Sequence, residues 1–531
     1  MRGPYGATQT RVTPQSEKIL GTSQVKNSAG GFCWEVDKWQ KLDRFLVLGT
    51  EGGTFYVKEK ELTKNNASSV MECIKEDGGR VVRQVVRISE EGRAHKNDPA
   101  LFVLAMCAGL GSPETKKEAL AALPRVARIG THLFHFMEYV EGFRGWGRAL
   151  RRAVGDWYND KDASAVAYQL AKYQGRDGWT NRDALRLSHP VPRTESHGIL
   201  YNWATKGWDS IGEDPHPDRA AGLIWAMERA KKVTDAGEIC CLVRNYRMSW
   251  EMLPTQFLNE PSVWVALLNV GMPLTAMIRN LGKMSSLKIF QGKEYVSFVT
   301  EALTQEKILK ARVHPLAILV ALTTYQSGHG VKGSLTWVPN KHILNALDEA
   351  FYVAFGTITP TNKRIMLALD VSGSMGWGEI SGLPGITPRV GSAAMALVTA
   401  AVEPNYSLMG FATDFRKVPI GPEMRLEQAI QVVSNIPMGG TDCALPMRHA
   451  LEKKIPVDAF VVYTDSETWA GKVHPVQALN QYRNAMGIPA KMVVVGMIFN
   501  SFTIADPNDA GMLDVVGFDT ATPQLISDFI S

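Results

Sequence analysis

Along the chain the apolar positions change spacing. From about residue 59 to 358 they recur at helical intervals, in stretches no longer than about five turns that are broken by Gly, Pro or Asn. The segments 101–110, 130–140, 147–158, 163–173, 218–232, 263–270, 274–281, 314–326 and 343–355 read as helices. Ser112-Pro113-Glu114 opens another with a cap and a first-turn proline, and Thr180 to Asp183 opens one as a capping box. From 361 to 531 the pattern alternates. Apolar runs at 365–370, 406–411, 459–465 and 491–495 read as buried strands, with helical stretches such as the alanine-rich 392–402 between them. Nearer the start, residues 1–25 have few apolar anchors and read as a flexible tail. Residues 44–48, a glycine turn at 49–53 and Thr54-Phe55-Tyr56-Val57 read as a β-hairpin.

This predicts an α + α/β protein. Residues 26–360 form an irregular stack of helix pairs, a HEAT-like α-solenoid, and residues 361–531 a doubly wound α/β domain. No strict repeat period is present. A compact helical enzyme domain is the alternative, disfavoured because no Cys/His, Ser/His or paired-carboxylate arrangement stands out there. No apolar run reaches the roughly 18 residues of a membrane span, and the first residues lack the apolar core of a secretory signal. The six cysteines include no CxxC pair, so a reducing, cytoplasmic setting is expected. Charge is divided unevenly: residues 1–360 hold 46 Lys+Arg and 37 Asp+Glu, and residues 361–531 hold 12 and 16. The helical part is basic, a modest hint of a polyanionic partner.

Chemistry concentrates after the strand at 365–370. Asp370-Val371-Ser372-Gly373-Ser374 sets one carboxylate and two hydroxyls at the carboxyl edge of an α/β sheet, where such folds bind ligands. The glycine-hinged loop Met438 to Asp442 offers the Thr441 hydroxyl, and a second buried strand ends at Asp465. Five oxygen-bearing side chains, Asp370, Ser372, Ser374, Thr441 and Asp465, suit a hard divalent cation, Mg²⁺ above all, with a coordination position left open. A serine-rich phosphate-binding turn or a plain cap is the blander reading of a lone DxSxS. The full set resembles, residue by residue, the metal-ion-dependent adhesion site of von Willebrand factor A (vWA) domains.

Two stretches read as helical combine basic and aromatic residues. Arg144, Arg148 and Arg151 or Arg152 fall on one face at helical spacing, ahead of Trp157 and Tyr158. Lys172, Tyr173, Arg176 and Trp179 lead through Arg182 and Arg186 to His189. Guanidinium groups can grip phosphates and aromatic rings can stack on splayed bases. From pattern alone, solvated helix faces with core tryptophans are the more ordinary reading.

Taken with the metal motif, residues 44–57, 131–136, 156–158, 172–189, 313–322 and 325–330 resemble the Ro ribonucleoprotein family, in which a TROVE module precedes a vWA domain. The likeness spans nearly the whole chain beyond about residue 20. It implies a monomeric ring of HEAT-like repeats closed by the vWA domain. The basic central hole would take single-stranded 3′ ends of misfolded or precursor noncoding RNA, and Y RNA would bind outside. By position, Lys172, Arg176, Arg186 and His189 match the family's RNA-contacting segment, and Arg125, Arg128, Arg148, Arg151 and Arg152 are outer-face candidates. Gln174 and Val191 stand where arginine and lysine are usual in animal members, which points to a bacterial Ro sixty-related protein. The resemblance further implies an exoribonuclease partner and a protein ligand at the metal, with binding rather than catalysis. A metal-dependent protein-interaction scaffold with incidental RNA binding is the alternative. An Mg²⁺-dependent phosphotransferase or nuclease is a third.

Overall fold

The computed structural model describes residues 12–49, 59–207, 211–331, 333–356, 358–380, 385–421, 424–437, 439–518 and 521–531. The helix Lys38–Leu48 starts where Asp37 and Gln40 form a reciprocal capping box, and it buries Leu42, Phe45 and Leu46 at helical spacing. Residues 44–48 are therefore helical, not the first arm of a hairpin. Local apolar density suggests a strand there, but the cap and the 3–4 spacing decide. The rest of the expected hairpin, 50–57, lies outside the described residues.

Next comes a 33-residue helix, Glu59–Glu91, longer than the five turns expected and broken at Asp77 (φ −152°, ψ 84°). Asp77-Gly78-Gly79 supplies the break. A Cβ on Gly78 would lie 2.2 Å from Thr115 Oγ1, so the bare backbone lets the neighbouring helix Pro113–Val126 pack close. Further along, Asp98–Leu110, Pro113–Val126, Gly130–Glu141, Arg148–Asn159 and Ala163–Lys172 follow the sequence expectation to within a few residues. So do Asn181–Ser188, Arg219–Ala230, Pro261–Asn269, Leu274–Arg279, Pro315–Ser327 and Lys341–Val353. Glu195–Lys206, Ala236–Tyr246 and Lys293–Ala302 are additional. Packing joins mostly near neighbours, such as Asp98–Leu110 on Gly130–Glu141 and Ala236–Tyr246 on Pro261–Asn269.

Late helices also return to early ones. Arg312 Nη1 donates to the Glu90 carbonyl at 2.8 Å, His314 Nε2 to the Arg93 carbonyl at 3.0 Å, and the His95 and His314 rings meet edge to face at 5.5 Å.

The C-terminal part is a six-stranded sheet in the order Met512–Val516, Lys491–Gly496, Ala459–Thr464, Ile365–Asp370, Tyr406–Phe411, Phe415–Lys417. All neighbours pair in parallel except the last strand, an antiparallel edge. Ile365–Asp370 and Ala459–Thr464 are buried at every position, as continuous apolar runs in a helix-covered sheet should be. The chain leaves Ile365–Asp370 toward one neighbour and later returns on its other side. The topological switch point thus lies between these two strands, at their carboxyl ends.

Residues 12–35 are clamped to this domain, contrary to the expected tail; residues 1–11 lie outside the described ones. Gln15 is fully buried: its Nε2 donates to Asp442 Oδ1 and the Val473 carbonyl, each at 2.7 Å, and its Oε1 accepts from the Thr468 hydroxyl. Phe32–Glu35 pairs with both Val25–Lys26 and Phe502–Thr503, and Trp34 and Ile19 enter the sheet's core. Buried amides bonded at both ends hold this segment with few apolar anchors, which a hydrophobicity pattern does not register.

The same domain touches both ends of the helical array. Arg44, on Lys38–Leu48, pairs with Asp514. At the far end, Asp348 accepts from Leu426 N–H at 3.0 Å, and Phe351 packs on Phe518 at 6.2 Å.

Candidate functional site

Three turns converge at the switch point. Asp370 closes its strand fully buried; its Oδ1 accepts from Ser372 N–H at 2.9 Å and its Oδ2 from the Thr464 hydroxyl at 2.7 Å. Ser372 and Ser374 place their hydroxyl oxygens 3.2 Å apart. Asp465 Oδ1 accepts from Glu467 N–H at 2.9 Å, whereas its Oδ2 is shut from solvent without a partner. Ser466, next to it, holds a left-handed φ of 61°, the kind of backbone strain that gathers at functional sites. Thr441 is buried and set by its backbone: its carbonyl accepts from Trp469 and Ala470 N–H at 3.1 and 3.0 Å, and Gly373 N–H bonds the Gly439 carbonyl at 3.3 Å. Met438, at the head of this loop, lies outside the described residues. Asp442 faces elsewhere, toward Gln15 and Arg448.

Burial is the first cause that lifts the Asp370 carboxyl, to about 7, with the Asp465 charge second. Burial raises Asp465 as well, and takes Glu467 to about 8 with help from Asp465. Arg389 approaches from below, but its guanidinium is engaged by the carbonyls of Val371, Ser372 and Ile436. The arrangement is two buried, mutually repelling carboxylates, an orphaned carboxylate oxygen and three hydroxyls. A hard dication would relieve each of these defects together, so the residues fit such an ion. Among the described residues no cluster of three or more His, Cys, Asp or Glu is arranged for a metal; this set has only two carboxylates. Thr464, Glu467 and Asn500, which donates to the Asp465 carbonyl, shape the site and escaped the sequence reading. The Thr464-Asp465-Ser466 run was the one available signal for them.

The basic residues are less uniform. Lys172 ends its helix half-buried, its Nζ 3.4 Å from both Tyr168 Oη and Glu251 Oε1 and above the Tyr173 ring. The segment that follows is not helical. Gly175–Arg176 pairs with Trp179–Thr180 across Asp177 and Gly178, both at positive φ, the hairpin turn that Asp-Gly favours. Arg176 is exposed, within 3.6 Å of Asp177. Asn181–Ser188 then carries exposed Arg186, whose Nη2 reaches the Thr205 carbonyl at 3.3 Å, and ends on exposed His189 in the left-handed region.

Arg148, Arg151 and Arg152 are exposed on Arg148–Asn159, which packs on Asn181–Ser188, so the two basic stretches sit on neighbouring helices. Arg144 is not on that face; it lies before the helix and donates to the Ala108 carbonyl. Trp157 and Tyr158 are fully buried, the core role that pattern alone favours. Arg125 is engaged by Glu90 through two 2.7 Å bonds, and Arg128 donates to Ser89 Oγ at 2.8 Å.

Residues 364–530 match the family described as the Ro60 vWA domain, and residues 25–211 and 236–324 match the TROVE domain. The chain is 41% identical over 520 residues to the RNA-binding protein RO60 of Deinococcus radiodurans, covering 97% of each chain. It is 34% identical over 594 residues to the RNA-binding protein RO60 of Caenorhabditis elegans, covering 98% of this chain and 92% of that one. The crystal structure of the D. radiodurans Ro (RSR) protein superposes with a TM-score of 0.72 at 39% identity, over 93% of this chain and 99% of the other.

Proposed function

This chain belongs to the Ro60 family, a TROVE domain followed by a vWA domain, and from that premise we propose that it is a non-catalytic RNA-binding protein. It captures single-stranded 3′ ends of misfolded or precursor noncoding RNA in a basic central hole, binds Y RNA on its outer surface, and passes RNA to an exoribonuclease. The observation that carries the reading is the stretch from Lys172 through the hairpin to His189, which exposes Arg176, Arg186 and His189 and whose helix packs beside the one that bears exposed Arg148, Arg151 and Arg152. Phosphate neutralisation and stacking there would hold a single strand with little sequence readout.

Ring closure is supported by the return of Arg312 and His314 to Glu90 and Arg93 and by the α/β domain touching both ends of the helical array. Asp370, Ser372, Ser374, Thr441 and Asp465 would hold Mg²⁺. An open coordination position would take a carboxylate from a partner protein, and the exposed tryptophans Trp377 and Trp469 border those turns. That last observation favours the scaffold reading as a second role rather than a replacement. The cysteines are free thiols, in keeping with a reducing, cytoplasmic setting.

The test is binding of single-stranded RNA across a salt series. Affinity falls steeply with salt, and Lys172→Ala with Arg176→Ala weakens binding and flattens the log–log slope by about 0.7 per lost contact. An affinity indifferent to salt and to both substitutions would leave only the scaffold.

A further inference from the structure

Beside Lys172 lies a cavity of about 350 Å³, within the size range of small-ligand sites, between Ala163–Lys172, the start of Arg219–Ala230, the end of Ala236–Tyr246 and Pro261–Asn269. Its lining has a particular chemistry. Tyr168, Tyr246 and Trp250 give it partly exposed aromatic rings, and Arg219 and Arg247 two exposed guanidinium groups. No carboxylate lines it among the described residues.

Two wall residues also hold unspent hydrogen-bonding capacity. Ser249 is 7% exposed and its hydroxyl has no partner, and the Trp250 indole N–H is likewise buried without an acceptor. Native interiors seldom leave such groups unmade. Arg247 is held at a left-handed φ of 51°, with its Nη2 donating to the Val270 carbonyl at 3.0 Å, so one cation is fixed at the rim. The neighbouring Glu251 carboxylate is turned to Lys172, which itself touches Tyr168 in the cavity wall. The cavity and the single-strand segment are therefore contiguous.

Aromatic faces, with two arginines and no acid in the lining, select a ligand that joins a flat heteroaromatic ring to an anion. We propose that this cavity is a nucleotide pocket, in which a base stacks against Tyr246 and Trp250 while its phosphate meets Arg219 and Arg247. The occupant is one splayed-out nucleotide of a bound RNA strand, or a free nucleotide of the same chemistry. The inference rests on the RNA-binding reading and adds to it a single-residue anchor next to Lys172.

The experiment uses the full chain and short single-stranded RNAs carrying a fluorescent purine analogue at successive positions, with adenosine monophosphate titrated separately. If RNA supplies the occupant, one analogue position changes its emission on binding. Tyr246→Leu and Arg219→Gln abolish that change and weaken RNA binding roughly tenfold each. Arg219 is exposed on the first turn of its helix, so Arg219→Gln retains the fold even where an aromatic substitution does not. If a free nucleotide is the occupant, adenosine monophosphate binds and loses affinity in the same variants while RNA binding is unchanged. Should both ligands ignore these substitutions while Lys172→Ala with Arg176→Ala still weakens RNA, the pocket inference fails alone. Should neither ligand bind the wild-type chain, the RNA reading and the pocket fail together.

Discussion

Arg44 Nη2 lies 2.7 Å from each carboxylate oxygen of Asp514, joining residues 470 positions apart in a pair almost closed to water. Its other terminal nitrogen donates to the Asn500 side chain and to the carbonyls of Asn500 and Phe502. The first described helix is thereby locked to the edge strand of the α/β domain. Removing one partner strands the other charge in the interior. Arg44→Ala is expected to cost about 3–5 kcal/mol in urea denaturation, and Arg44→Met with Asp514→Leu much less. Equal losses in the single and double variants would show that the pairing is irrelevant to stability.

If the proposed metal centre holds Mg²⁺, Asp370→Ala and Thr441→Ala are expected to abolish Mg²⁺ binding by calorimetry while leaving single-stranded RNA affinity within about twofold, since the two proposed sites share no residue. In the wild type, Mg²⁺ at about 100 times its Kd should add about 2.7 kcal/mol of stability by mass action, and a chelator should reverse it. A melting temperature indifferent to Mg²⁺ would argue against the ion.

Glu90 holds Arg125 by two hydrogen bonds, and its carboxyl is lowered first by that arginine. If Arg125 meets phosphate on the outer face, it must first leave Glu90. Glu90→Gln should then tighten binding of a structured RNA severalfold at low salt, an advantage that fades as salt screens it. Affinity unchanged or weakened in gel-shift titrations would remove Arg125 from the outer-face set.

Acid should loosen the helical array. Burial depresses His95 to about 3, helped by His314, and depresses His132 to about 3, helped by Arg128. Both rings are neutral when folded and titrate near pH 6.5 when unfolded. The contribution of these two rings is therefore flat above about pH 6.5 and falls as pH drops from there toward 3, by at most about 1.4 kcal/mol per pH unit for each ring. His95→Gln and His132→Gln should each flatten that slope in denaturation at successive pH values; slopes identical to wild type would contradict the assignment.

Much of the architecture was legible because its determinants are local. Ser112, Asp162 and Thr180 each accept from a backbone N–H in the first turn of the helix they precede, and Ile365–Asp370 is an apolar run buried at every residue. The placing of Asp370, Ser372, Ser374, Thr441 and Asp465 around one sheet edge was legible because each closes or follows a strand or sits in a glycine loop. What escaped depends on distant partners. Gln15 looks like tail until Asp442, Thr468 and Val473 are beside it. Arg44 looks like a solvent-facing charge until Asp514 is. The basic stretch after Lys172 has helical spacing, yet Asp177-Gly178 overrules it with a two-residue turn. The same rule hid the edge strands Phe415–Lys417 and Met512–Val516, short segments defined by what they pair with.

The clamp made by residues 12–35 sets an order of events during synthesis. Its partners, from Asp442 through Phe502, leave the ribosome more than four hundred residues later. Residues 12–35 must therefore wait, their buried-to-be glutamine and tryptophan still wet, until those distant partners have been made. Completion of the α/β domain is in this sense sealed by residues made long before it, and a nascent chain halted before Asp442 would leave residues 12–35 unclaimed.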